Sequence, residues 1–264
     1  CVPFLGLETM NRMLHMLQPV SYCGIGTNPK TMMPLVKKFF KRHVGVMSHF
    51  YMLNEKVSDF KVAIPGPEEN LLKNQSLEES DFSLEILRDR EELKNTINTI
   101  KTSPLLPFKS AEYVVHRYFN NPIYQYKIYK ILDAKRIATS LLVTREVECN
   151  DTSVLSWVDY IGEIERVGEF KNLFQKLMYQ GRYEYIDCLC DGIAGTLFDK
   201  IGFTRKEHDG NTVIPTYFEP FVQKNIKIHF EKSEQTQILF KGDSDADRPS
   251  KSRAVNAQDN VFYD

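Results

Sequence analysis

The sequence predicts an α/β protein: a mixed, mostly antiparallel sheet flanked by helices. Two observations carry that expectation. Residues 124–132 (YQYKIYKIL), 136–145 (RIATSLLVTR) and 153–161 (SVLSWVDYI) are β-prone runs. Only Asp133-Ala134-Lys135 and an ECND run separate them, which is the spacing of an antiparallel meander. After the meander, helical and strand periods alternate: FKNLFQKLMY with Phe170, Leu173/Phe174 and Leu177 on one face, then the apolar run YEYIDCLCD, then a second helical stretch.

From the N-terminus, GLETMNRMLHML places Leu7, Met10, Met13/Leu14 and Leu17 on one helical stripe over residues 6–17. VSYCGIG (20–26) reads as a short buried strand. Asn28-Pro29 reads as a helix start, with Asn as cap and Pro in the first turn. Met32, Met33, Val36, Phe39 and Phe40 supply that helix's apolar face, and Pro34 kinks or delays it. VGVMSHFYML (44–53) is one strongly β-prone run. Residues 65–81, rich in Pro, Gly, Ser, Asn and acid, read as a linker. FSLEIL is a strand, REELKNTINTI a helix with Leu93, Ile97 and Ile100 inward, and SPLLPF a break. SAEYVVHRYF is a helix ended by Asn120, Asn121 and Pro122. In DGIAGTLFDKIGF (191–203), Ile193, Leu197 and Ile201 share a face and Gly202 is the stop. Late β runs at 212–218 and 225–230 are expected to close the unit. The stretch from Asp243 is polar and expected to be disordered.

With 264 residues the chain is long enough for two domains. A net charge of −1, from 34 basic and 35 acidic side chains, gives no electrostatic footprint for nucleic acid. No apolar run approaches the roughly 20 residues that span a bilayer. CVPFLGLETM lacks the features of a signal peptide and begins without Met, which leads to the expectation of a fragment of a cytoplasmic protein. Five cysteines, odd in number, do not make a disulfide framework. Cys188 and Cys190 share one face of a strand and read as buried reduced thiols, with no metal site expected.

The order strand, two helices, three-strand meander, helix, strand, helix, strand resembles the GCN5-related N-acetyltransferase (GNAT) superfamily over residues 82–230. The family's helix after the fifth strand commonly reads Asn-x-x-Ala-x-x-Leu-Tyr-x-x-x-Gly-Phe. Here Ala194, Leu197, Gly202 and Phe203 match, Asp191 takes the Asn place and Phe198 the Tyr place. In many relatives the Tyr hydroxyl protonates the thiolate leaving group of acetyl-coenzyme A; Phe198 has no hydroxyl and cannot act as that acid. VSYCGIGTNPKTMMPLVKKFF parallels YIDCLCDGIAGTLFDKIGF in strand, turn, helix and terminal aromatic. The resemblance therefore implies a tandem: residues 1–64 as the C-terminal half of a truncated first unit, 65–81 a linker, 82–242 a complete unit, and 243–264 the tail.

The same resemblance implies an acetyl- or other acyl-coenzyme A cofactor with its pyrophosphate on the loop GEIERVGEF, through Gly162, Arg166 and Gly168. The glycine spacing departs from the family's, and Glu163, Glu165 and Glu169 repel a polyanion. It also implies that the fourth and fifth strands splay apart. Asp159 and Asp187 would then face the gap as candidate general bases, their pKa values raised by desolvation and mutual repulsion. His116 and Arg117 lie on the helix that lines the acceptor side in relatives, although a solvated helix face accounts for them too. His15, His43 and His49 read as surface or packing residues. Tyr124, Tyr126 and Tyr129 fit ordinary β propensity better than sugar stacking, and GDSDADRP lacks the Gly and Glu of a calcium loop.

YFNNPIYQYKIYKI and FKGDSDADRP are similar to stretches of tandem GNAT-like proteins encoded with bacterial surface-polysaccharide genes. That implies acyl transfer to the amine of a small-molecule acceptor, a sugar precursor or nucleotide sugar. Two alternatives stay open. One is a non-catalytic GNAT-fold binding or assembly module; the other is a transfer-RNA-dependent aminoacyl transferase, which the charge balance disfavours.

Overall fold

The computed structural model describes residues 5–67, 69, 79–207, 209–216 and 221–244. In chain order the elements are α1 (Leu5–Leu17), β1 (Cys23–Ile25), α2 (Met32–Phe40), β2 (His43–Val46), β3 (Ser48–Leu53), β4 (Ser83–Ile86), α3 (Arg90–Thr99) and α4 (Ala111–Val114). A π-helical turn (Val115–Phe119) extends α4. Then come β5 (Tyr126–Leu132), β6 (Ala138–Cys149), β7 (Thr152–Ile161), a 3-10 turn (Ile164–Glu169), α5 (Leu173–Gly181), β8 (Tyr185–Asp191), α6 (Gly195–Lys200), β9 (Thr204–Arg205), β10 (His229–Lys232), β11 (Leu239–Phe240) and a short 3-10 turn (Lys241–Asp243).

The meander forms as expected. β4, β5, β6 and β7 pair antiparallel in that order, and β7 then pairs parallel with β8. The β6–β7 turn is set by Asn150 and Asp151, both at positive φ (51° and 60°), where short polar side chains are tolerated. Helix starts also follow the sequence: the Asp89 carboxylate accepts from the Glu92 amide and the Ser110 hydroxyl from the Tyr113 amide.

Where the chain departs from expectation, distant partners are the reason. The run 44–53 is two strands, not one. It breaks at Met47, whose amide donates to Ile228 O, and the halves go to different sheets. β3 lies between β8 and β9, antiparallel to both, and completes an eight-stranded sheet. β10 lies between β1 and β2, antiparallel to both, in a three-stranded sheet. The expected closing pair at 212–218 and 225–230 is thus replaced. Val213 makes only an isolated bridge to Ile64, and residues 217–218 lie outside the described ones. The linker read at 65–81 also lies largely outside the described residues.

The two strand–helix–strand stretches seen in the sequence, β1-α2-β2 and β8-α6-β9, therefore each hold a strand donated by the other half of the chain. Asn28 Oδ1 accepts from the Lys30 and Thr31 amides, and α2 waits until Met32. Pro34 then falls in its first turn, where a missing N–H costs no helical bond. The stripe on α1 is not inward: none of its described residues is buried, and Met16 is 80% exposed.

Two apolar layers sandwich the large sheet. One packs α5 and α6 against Trp157, Phe50, Cys188 and Cys190; the other packs α3, α4 and the π-helical turn against Leu141, Val143 and Val158. Among the described residues no helix is long and apolar enough to cross a membrane.

Candidate functional site

β7 and β8 are paired only at Leu155–Ile186, Ser156–Asp187 and Trp157–Cys188, and then they part. The cause is local. Val143 pairs with Asp159 and Thr144 with Trp157, so Val158 is an extra residue that bends β7 away from β8 where the pairing stops. The opening predicted between WVDYI and YIDCL is therefore present.

The chain's own later segment fills it. β11 pairs antiparallel with the diverging end of β8 (Leu239–Asp191, Phe240–Cys190), and Phe240 stacks against Trp157 at 6.1 Å. A residual cavity of about 40 Å³ remains beside it, lined in part by Ser103, Tyr160, Gly162 and Phe240. A larger hollow of about 390 Å³, lined in part by Tyr51, Glu55, Gln175 and Tyr179, lies elsewhere. It sits at the Tyr185 end of β8, opposite the opening, as the Leu53–Tyr185 register shows.

Both predicted carboxylates are buried, Asp159 against Lys109 and Asp187 against His49. Asp159, with 0% exposure, is ion-paired to Lys109 and accepts from the Tyr118 hydroxyl (2.6 Å) and the Tyr160 amide (2.8 Å). Lys109 also reaches Asp243 at 3.1 Å. Asp187 accepts from His49 Nε2–H at 3.0 Å and from the Ser156 hydroxyl, while Lys241 Nζ donates to Ser156 Oγ at 3.2 Å. His49 is buried, the packing side of its reading, and among the described residues its Nδ1 has no hydrogen-bond partner.

The electrostatics correct the expectation of a raised pKa at Asp187. Burial works to raise Asp187, but the His49 hydrogen bond, the Lys241 charge and the Ser156 hydroxyl bring it below the ordinary value. Asp159 has the Lys109 ammonium beside it, and Asp187 has His49, with Lys241 reaching the Ser156 hydroxyl. Burial lowers His49 against the pull of Asp187, so its imidazole is neutral. With Nε2–H given to Asp187, Nδ1 carries a lone pair. Burial would lower Lys109, but Asp159 and Asp243 outweigh it and hold it above the usual lysine range. Burial, with Asp159 adding to it, pushes Asp243 up to about 6 against the pull of Lys109. Asp243, read as the start of a solvated tail, is thus a buried member of the site; residues from 245 lie outside the described ones.

A pH dependence follows. The groups facing Asp243 are Lys109, Asp159, Tyr113 and the Cys23 thiol. With its docked pKa above its free value, Asp243 favours docking fully below about pH 4, and that contribution is lost as pH rises through about 6. Amide exchange at residues 239–243, measured relative to β6, is expected to be slower at pH 5 than at pH 8 after correction for intrinsic rates. Equal protection at both values would contradict it.

The residues predicted for coenzyme A lie together in and just before one short turn. Loop 162–169 folds as a 3-10 turn whose Arg166 amide bonds Glu163 O, while the Phe170 amide after it bonds Val167 O. Arg166 is ion-paired with Glu169 at 3.1 Å. A Cβ at Gly162 would lie 2.7 Å from Ser140 Oγ, and one at Gly168 3.0 Å from Leu197, so both glycines permit close packing. The loop is thus a closely packed 3-10 turn with its arginine engaged by Glu169.

Phe198, in the Tyr place of the family pattern, is buried and stacked on Phe50 at 3.9 Å. His116 is exposed. Arg117 turns inward and donates to Gly242 O (3.0 Å) and Ser244 O (2.7 Å). The site thus brings Asp159, Asp187 and Arg117 to one opening and leaves His116, Gly162, Arg166 and Gly168 outside its hydrogen-bonded cluster. His49 carried one signal in the sequence: it is a polar interruption in the apolar run VMSHFYML. Lys109 and Asp243 carried none, since their pairing spans more than a hundred residues.

No family model matches the chain, and no curated protein matches it. Solved structures similar to it include a functionally unknown conserved protein from Staphylococcus epidermidis, at 8% identity and TM-score 0.44, covering 88% of this chain and 79% of that one. A GCN5-related N-acetyltransferase from Anabaena variabilis is similar at 10% identity and TM-score 0.45, covering 86% of this chain and 48% of that one. The N-myristoyltransferase of Saccharomyces cerevisiae, solved with bound myristoyl-CoA and inhibitors, is similar at 10% identity and TM-score 0.38, covering 81% and 58%. The chain thus spans roughly half the length of the last two proteins.

Proposed function

We propose that the chain is an N-acyltransferase-like protein that joins an acyl group from a thioester to the amine of a small molecule at the opening between β7 and β8. The observation that carries this reading is the His49–Asp187 pair beside a parallel strand pair that separates after Trp157. In the reaction the amine nitrogen bonds the acyl carbon, the carbon–sulfur bond breaks, and a proton leaves the amine. His49 Nδ1, neutral and backed by an ionised carboxylate, is the acceptor for that proton. Asp159, its two oxygens engaged by Lys109, Tyr118 and the Tyr160 amide, positions the opposite wall. With no hydroxyl on Phe198, the departing thiolate takes its proton from solvent. The finer assignment, an amino-sugar precursor in bacterial surface-polysaccharide synthesis, rests on the resemblance of YFNNPIYQYKIYKI and FKGDSDADRP alone.

The test is thiol release from acetyl-coenzyme A and acetyl-pantetheine with glucosamine as the amine. Asp187→Asn keeps the shape but loses the negative charge that stabilises the protonated His49, and is expected to lower the rate by about 10²–10⁴-fold. An unchanged rate would remove the dyad from the chemistry.

A second reading, a GNAT-fold module without catalysis, is favoured by the closed 162–169 loop and by buried Phe198. It predicts no thiol release and no rise in melting temperature at millimolar thioester.

A further inference from the structure

We propose that Gln237–Ser244 is an autoinhibitory strap: docked, it excludes an acyl thioester from the opening between β7 and β8, and its release uncovers the His49–Asp187 pair. The inference deepens the acyl-transfer reading and rests on it.

Three groups of contacts show that this is a fitted occupant. The strap enters by backbone bonding to the loop before α4: the Gln237 and Ile238 amides both donate to Leu106 O, and the Gln237 side chain accepts from the Leu106 amide. It then takes the edge of β8 beyond its pairing with β7 as a strand, placing Leu239 and Phe240 inside the fork. It ends in a clamp on the acceptor side, with Arg117 on the Gly242 and Ser244 carbonyls and Lys109 on Asp243.

Two glycines make the fit possible. Gly192, at φ +82°, would put a Cβ 2.0 Å from Gln237 O. A Cβ at Gly242 would lie 2.2 Å from the Tyr118 hydroxyl. The strap also acts on the dyad itself. Lys241 holds Ser156 and lowers the pKa of both His49 and Asp187. Undocking therefore removes a cation from beside His49 and raises its basicity while opening the space for substrate.

The docked fraction sets the apparent activity, because only the open form binds. Gly242→Val expels the strap by steric conflict at a position outside the catalytic pair. Gln237→Ala, a milder change at an exposed side chain, serves if the first variant does not fold. Amide exchange at 239–243 reports docking, and thiol release from acetyl-pantetheine with glucosamine reports activity. The proposal expects exchange protection at the strap to be lost in Gly242→Val and thiol release to rise at least tenfold over the wild type. A wild type that turns over thioester as fast as a strap-free variant overturns the strap as inhibitor and leaves the acyl-transfer reading standing. A strap-free variant that neither binds nor consumes thioester takes away that reading, and the strap's role with it.

Discussion

Replacing Lys109 with Met is expected to cost about 3–5 kcal/mol of stability, because it leaves Asp159 and Asp243 buried with no cation between them. The loss arises less from the missing attraction than from stranded charge. Asp159 keeps two donors, the Tyr118 hydroxyl and the Tyr160 amide, so part of its solvation survives. Asp243 keeps the Phe240 amide and little else. Two corollaries make the result specific. Adding Asp159→Asn to Lys109→Met should recover a large share of the loss, since one of the two stranded charges disappears. The loss should also be smaller at pH 5 than at pH 8, because Asp243 can then carry a proton. Urea unfolding of the wild type and the two variants at both pH values measures all of this; a loss under about 1 kcal/mol for the single variant would show that water reaches the pair.

Trp157→Ala is expected to cost about 3–5 kcal/mol. Trp157 is the last residue of β7 paired with β8, and its indole fills the fork where the strands part. It stacks on Phe174 at 4.8 Å, touches Phe198 and Phe203 on the helical side, and meets Phe240 of the strap. Its Nε1–H donates to Asp159 O at 3.1 Å, which fixes the backbone where β7 bends away. The substitution therefore removes both packing and the brace of the bulge. Trp157→Phe keeps most of the ring contacts, loses the hydrogen bond, and should cost much less. As the chain's one tryptophan, Trp157 also makes intrinsic fluorescence a direct readout of strap docking.

What the sequence disclosed follows from the range of the forces involved. The meander was legible because β5, β6 and β7 meet their partners across short turns, and their side-chain periods are uniform. The fork between β7 and β8 was legible only through resemblance to a known architecture. β3 was read as a strand, but its neighbours could not be read: Ser48 pairs with Cys190, and nothing near Ser48 records that distance. Asp243 sits among Ser, Asp and Arg, so composition pointed to water, whereas Lys109 and Gly242's close seat against Tyr118 draw it inside. The raised pKa expected at Asp187 assumed that two acids would face each other across the fork. Instead His49 bonds Asp187 and Lys109, from the loop before α4, pairs with Asp159; such partners are decided in three dimensions.

The reciprocal placement of β3 and β10 has a consequence for biogenesis. On emerging from the ribosome, β1 and β2 have no strand to lie between them, and β3 waits for β8, made more than a hundred residues later. Neither sheet is complete until synthesis has passed Lys232, so β1, β2 and β3 keep open edges, prone to premature association, while the residues between them and their partners are made. Once both exchanges are made, a break in the backbone between β3 and β4 leaves two fragments that hold each other by a strand apiece. The strand that finishes the first sheet is made only after β4 to β9 of the second.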